Sequence, residues 1–125
     1  MRYSSLLLVV LLSASCHSKK VYNYSQRIVI KVEGATTGSV NQVVALTVHW
    51  QFTSGSCDVF DKFEESRQGN TIKIKVYGHW TENVCTSDVG INKVTYNFSS
   101  STPGTFELLF ENMDGSVVIH TITIS

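Results

Sequence analysis

The residues best placed to do chemistry in this chain are its cysteines, histidines and clustered carboxylates. Cys16, Cys57 and Cys85 make an odd count. A disulfide uses two, so one thiol is left for another purpose. His49, His79 and His120 fall on separate segments, without the local His-x-His spacing that places two imidazoles on one metal, and His17 lies near the leader. No metal site and no cofactor are expected from them. Asp58, Asp61, Glu64 and Glu65 are close in sequence. Paired carboxylates serve glycoside hydrolysis when they flank a bond, but here they read as a solvated loop face. No Gly-x-Ser-x-Gly elbow occurs, and Ser54-Gly55-Ser56 reads as a turn. The expectation is a chain that is not an enzyme, with no catalytic residues. Tyr77, His79 and Trp80, together with Phe60, are the candidate ligand contacts. An exposed aromatic platform of this kind stacks sugar rings; the structural alternative is that Trp80 covers the disulfide or closes the end of the core. Tyr22 and Tyr24 are further aromatics for such a platform.

The first residues, Met1-Arg2-Tyr3, carry a positive charge and lead into an apolar run from Leu6 to Leu12, then Ser13-Ala14-Ser15-Cys16. Charge, apolar run and small residues are the parts of a secretory signal peptide. The run is about seven residues, where a membrane-spanning helix needs roughly 20. Two processing routes fit. An ordinary peptidase would cut near Ala14 or Ser15 and leave Cys16 a terminal thiol. Alternatively, Leu12-Ser13-Ala14-Ser15-Cys16 resembles the bacterial lipobox, although Ser13 stands where that pattern favours Leu. By that resemblance Cys16 is lipidated and becomes the mature N-terminus. Lipidation also leaves Cys57 and Cys85 as an even pair, which an oxidising compartment allows to close. The loop they enclose is about 28 residues, worth roughly 3–4 kcal/mol in the chain-entropy model.

His17-Ser18-Lys19-Lys20 follows Cys16 without the acidic sorting signals known for some lipoproteins. The expected location is the bacterial outer membrane, lipid-anchored and facing the periplasm, with the two lysines near anionic head groups. Ten basic residues balance ten acidic ones, so no field favours nucleic acid. The membrane, through lipid on Cys16, is therefore one expected partner. Asn23-Tyr24-Ser25 and Asn97-Phe98-Ser99 match the N-glycosylation pattern, which matters only in a eukaryotic secretory chain.

The expected organisation is a signal peptide over 1–15, a lipidated tether over 16–26 and one domain over 27–125. In that domain Ile28, Ile30 and Val32 are expected to form an inner face. Val44, Leu46, Val48, Trp50 and Phe52 make the most regular alternation. Phe60 and Phe63, three apart, would suit a helical turn, but Gln68-Gly69-Asn70 reads as a hairpin loop into the next strand, so Val59 to Ser66 is expected to be a short irregular strand. Ile72, Ile74 and Val76 face in, and Lys73, Lys75 and Tyr77 face out. Val94, Tyr96 and Phe98, then Phe106, Leu108 and Phe110, follow. Met113-Asp114-Gly115 is a hairpin signal, and Val117, Ile119 and Thr121 alternate with Val118, His120 and Ile122 in the last strand. About seven short strands with regular turn signals predict an antiparallel β-sandwich, with a small closed barrel as the alternative.

Pro103-Gly104-Thr105-Phe106-Glu107-Leu108, followed by a hairpin and a final strand, resembles the penultimate-strand signature of immunoglobulin-like domains. With the lipobox, the chain resembles the small immunoglobulin-like lipoproteins of Bacteroidota over roughly Ile28 to Ser125. Gly55-Ser56-Cys57 to Phe63, Gly69-Asn70 and Val84-Cys85-Thr86 would form the recurring core in that resemblance. Trp50 precedes both cysteines, so a Cys57–Cys85 bridge differs from the antibody disulfide. It would instead tie the loop after the second strand to the loop after the fourth. The anchor, the strand pattern and the missing catalytic chemistry together point to a lipid-anchored, non-catalytic binding or adhesion module of the cell envelope, whose ligand is a protein or a glycan. A periplasmic inhibitor or accessory partner of an envelope or host enzyme is the second expectation.

Overall fold

The computed structural model describes residues 24–55, 57–81 and 84–125. The expected signal peptide, Cys16 and most of the tether lie outside the described residues. The described chain is all β, with eight strands: β1 (Tyr24–Glu33), β2 (Thr37–Gly38), β3 (Val44–Phe52), β4 (Asp58–Gln68), β5 (Thr71–Trp80), β6 (Gly90–Phe98), β7 (Gly104–Glu111) and β8 (Val117–Ile124). β1 starts at Tyr24, so three residues assigned to the tether are strand.

β1 is the hinge of the architecture. Its first half pairs with β5, from Tyr24 opposite His79 to Arg27 opposite Val76. Its second half pairs with β3, from Ile28 opposite Gln51 to Glu33 opposite Thr47. One sheet therefore carries β2, β8, β7, β5 and β4, the other β3 and β6, and β1 passes from the first to the second. Each sheet has one apolar face, and the two faces bury each other.

The pairing is mixed, where an antiparallel arrangement was expected. β5 runs parallel to β7, with Thr71 opposite Glu107, and β2 runs parallel to β8. The reason lies in the chain path. After β5 the chain crosses to the other sheet for β6, and two reversals return β7 pointing the same way as β5. Hydrophobic alternation sets which face a strand buries, and says nothing about which neighbour it pairs with.

The core joins Leu46, Val48 and Trp50 of β3 to Ile72, Ile74 and Val76 of β5 and Phe106, Leu108 and Phe110 of β7. These sit on the inner faces expected from the alternation. The face of β1 is the reverse of the expected one: Arg27 and Val29 are buried, and Ile28 and Ile30 are exposed. A register shift between Val29 and Lys31 then returns Val32 to the core side. That bulge, which adds a residue on one strand, is why simple alternation fails there. In β8 the buried set is His120, Ile122 and Ile124, while Val117 and Ile119 are exposed. His120 is not a solvated outer-face residue; its Nε2 lies 3.0 Å from the Ala35 carbonyl oxygen.

Candidate functional site

One end of the sandwich gathers the start of β1, the start of β4, the ends of β3, β5 and β7, and the turn between β7 and β8. Arg27 is only 6% exposed there. Its Nε donates to both oxygens of Asp58, at 2.8 and 3.0 Å, and its Nη1 donates to the Ser25 carbonyl at 3.1 Å and to the Ser25 hydroxyl. Asp58 also accepts the Thr53 backbone N–H at 3.0 Å. A buried charge is tolerated when paired and hydrogen-bonded, and this pair meets that condition on three sides. Arg27 Nη2 is buried with no hydrogen-bond partner among the described residues.

Gly78 makes room for the pair. A Cβ there would lie 2.9 Å from Arg27 Nε and 3.0 Å from the Val59 carbonyl oxygen. The phase of β5 puts position 78 on the inner face, opposite Phe60 of β4 and Ser25 of β1. Only a residue without a side chain leaves the guanidinium and carboxylate in contact.

Asn112 fixes the far wall. Its Oδ1 accepts Val29 N–H at 2.9 Å and its Nδ2 donates to the Val29 carbonyl at 3.1 Å. A side-chain amide thus satisfies β1 where strand pairing changes sheets, and docks the β7–β8 turn. In that turn Gly115 adopts a φ of 87°, a left-handed conformation suited to glycine. Asp114 Oδ1 accepts from Ser116 N–H at 2.9 Å and Ser116 Oγ at 2.6 Å. The Ser116 side-chain hydrogen bond, with help from its backbone N–H, holds the exposed Asp114 carboxyl below its usual range.

Between these elements lies a cleft of about 390 Å³. Arg27 contributes to its base. Trp80, Ile28 and Met113 supply apolar walls, and Gln51, Thr53 and Asp114 supply polar groups. Trp80 is 53% exposed. That volume falls in the range of small-ligand sites.

Below the cleft a Cys57–Cys85 disulfide closes a separation of 28 residues. It ties the loop before β4 to the loop after β5, the connection expected from the sequence. Backbone bonds reinforce it: Thr81 N–H donates to the Cys57 carbonyl at 2.8 Å, and Gly55 N–H to Asp88 O at 3.2 Å.

The structure separates the four candidate contact residues. Trp80 shares the inward phase of β5 and lines the cleft. Tyr77 and His79 have the opposite phase and meet Tyr24 and Lys62 on the outer face. The Lys62 ammonium sits 5.6 Å from the Tyr77 ring centre and 5.7 Å from that of Tyr24. His79 packs edge-on to Tyr24 and its Nδ1 lies 3.6 Å from Asp61. Phe60 packs against the core, 4.8 Å from Phe63 between ring centres. A single platform of the four does not form, because adjacent strand positions face opposite ways. Arg27, Asn112 and Gly78, which build the cleft, were not singled out by sequence; no local motif marks partners 31 or 83 positions apart.

The clustered acids also disperse. Asp58 is buried against Arg27, Asp61 faces His79, Glu64 is exposed, and Glu65 accepts the Tyr96 hydroxyl. Burial, and then the bond to Glu65, pushes the Tyr96 hydroxyl well above its usual pKa of 10.0. On the other sheet, the exposed Glu33 carboxyl is held low by Lys31 and His49. Among the described residues no three His, Cys, Asp or Glu side chains converge as a metal site. No described helix is long and apolar enough to cross a membrane.

No curated protein and no solved structure matches the chain. A family model, the ORF11 beta-sandwich domain, matches residues 46–123. That span runs from β3 into β8 and includes Asp58, the disulfide, Trp80 and the Met113–Asp114 turn. The match covers more than half of the chain, and its architecture agrees with the two packed sheets: the chain belongs to the ORF11 beta-sandwich domain family.

Proposed function

We propose that this chain is a lipid-anchored, non-catalytic binding or adhesion module of the bacterial cell envelope, presenting the Trp80 cleft to its ligand. The observation that carries the reading is that cleft: a half-exposed tryptophan with Gln51, Thr53 and Asp114 around it, over a buried ion pair, on an end clamped by a disulfide. Rigid scaffolds with groups converging on a concavity are where ligands bind. The anchor is supported by the leader and by Cys16. With Cys57 and Cys85 joined, Cys16 is the remaining cysteine of an exported chain. A periplasm-facing outer-membrane position is supported by the resemblance to lipoproteins that carry no acidic sorting signal after the cysteine, as in His17-Ser18-Lys19-Lys20.

An immunoglobulin-like build is supported by the two facing sheets and the β7–β8 hairpin. One relationship departs from it. In immunoglobulin domains the penultimate strand neighbours strand C, the antiparallel partner, whereas here β7 neighbours β5 in parallel. The chain is best read as a variant of that sandwich, with β4 and β5 exchanged in order.

The test is capture of envelope components from native membranes by the intact chain and by Trp80→Ala. Ligand lost in the variant, with the fold intact, supports the reading; an unchanged capture profile contradicts it.

An inhibitor or accessory subunit of an envelope or host enzyme is the second reading. Val84, beside Cys85, is 98% exposed, and a clamped loop with an exposed apolar tip suits insertion into another protein. Co-purification with one hydrolase, abolished by Val84→Asp and not by Trp80→Ala, would favour it.

A further inference from the structure

We propose that the cleft binds a neutral carbohydrate, with Trp80 stacking on a pyranose face and Gln51, Thr53 and Asp114 meeting its hydroxyls. This deepens the binding-module reading and rests on it.

Arg27 sets the charge at the cleft base. Arg27 is more than nine-tenths buried, lines the cleft, and has Nε and Nη1 occupied while Nη2 has no partner among the described residues. Nη2 is itself buried, so Arg27 acts on a ligand through its charge and the shape of the cleft base. Charge then narrows the class. The positive charge of Arg27 is neutralised by Asp58, whose side chain is fully buried at its flank. Asp114, on the wall, is an exposed carboxyl held ionised by Ser116. An entering anion meets a compensated arginine and an uncompensated carboxylate, which disfavours acidic ligands. A neutral polyhydroxyl ligand avoids that repulsion and donates to Asp114.

The aromatic wall narrows it further. A pyranose has one C–H-rich face that packs on a π-surface and a rim of hydroxyls. Trp80 offers the surface, and Gln51 and Thr53 offer rim partners from β3 and the loop after it. The outer-face aromatics are a poorer platform, because Lys62 already lies over both Tyr24 and Tyr77. The cleft volume, near the lower end for ligand sites, suits a few sugar units and is small for a protein side.

The experiment uses the chain's two tryptophans. The full chain, labelled with ¹⁵N-tryptophan and held in phosphocholine micelles, gives two indole N–H signals: Trp80 as reporter and buried Trp50 as internal control. It is titrated with cellobiose and with N,N′-diacetylchitobiose, and with glucuronic acid as the acidic comparator. The expected result is a saturable shift of the Trp80 signal by at least one neutral disaccharide at millimolar concentration, with Trp50 unmoved. Glucuronic acid should bind at least tenfold more weakly. By calorimetry, Trp80→Ala should lose at least tenfold in affinity while its Trp50 signal reports an intact fold. A motionless Trp80 signal with both neutral sugars, or equal affinity for glucuronic acid, would overturn the proposal. If membrane capture still depends on Trp80 in that case, the carbohydrate class fails and the binding surface stands. If capture is also independent of Trp80, the binding-module reading fails with it.

Discussion

Arg27 and Asp58 form a buried, two-oxygen ion pair at the mouth of the sandwich, with Nε 2.8 Å from Oδ1. It joins the first strand to the fourth across 31 positions, and it shapes the base of the cleft. Asp58→Ala leaves a guanidinium buried without its partner, which costs about 3–5 kcal/mol. For a domain of this size that lowers the melting temperature by more than roughly 12 °C. Pairing Asp58→Leu with Arg27→Met removes both charges and should recover most of the loss in a thermal melt. A double variant no more stable than Asp58→Ala would contradict the ion-pair assignment.

The glycine beside the pair gives a second check. Gly78→Ala adds a methyl within 2.9 Å of Arg27 Nε and 3.0 Å of a backbone oxygen. The backbone cannot yield as a side chain would, so overpacking of about 1–3 kcal/mol is expected. Urea denaturation measures it, and an unchanged midpoint would mean the pair has room to spare.

Asn112 predicts a different kind of loss. Asn112→Ala leaves the N–H and C=O of Val29 without their partners, at about 1–3 kcal/mol for each group that water cannot reach. Asn112→Asp keeps an acceptor for the N–H but sets an oxygen against the Val29 carbonyl, so it should not rescue. Hydrogen exchange at Val29 is the direct readout: rapid exchange is expected in both variants, and wild-type protection in Asn112→Ala would contradict the docking role.

Tyr96 sets the alkaline behaviour. Burial and the bond to Glu65 raise its native pKa above the usual 10.0. The native state therefore favours the protonated phenol. Its contribution is complete below about pH 10 and is lost as pH rises through 10 toward the native value. Tyr96→Phe, lacking the titrating group, should lose less stability than wild type between about pH 9 and 11. Parallel denaturation midpoints across that window would contradict the assignment.

What the sequence made legible was governed by local pattern. β3, β5, β6 and β7 alternate cleanly, and their inner residues are the core; Cys57 and Cys85 pair as their count implied. In β1, Ile28 and Ile30 are more apolar than Arg27, yet Arg27 is the one buried, because it has a buried acid to meet. No pattern along β1 reveals Asp58. The parallel pairing of β5 with β7 depends on β6 crossing sheets, which alternation cannot encode. At the site, residue type alone points to Trp80, and the structure leaves it half-exposed. Tyr77 and His79 are near Trp80 in sequence, but strand geometry sends neighbours to opposite faces. Phe60 was drawn into the core by Phe63 and the adjacent bulge.

The most direct test of the anchored-module claim is intact mass spectrometry of the mature protein extracted from bacterial membranes. The expected mass is that of a chain beginning at Cys16, carrying diacylglycerol in thioether linkage with or without an N-terminal acyl group, and lacking two hydrogens for the Cys57–Cys85 bridge. A soluble chain cut near Ala14 or Ser15, with an unmodified Cys16, would contradict it.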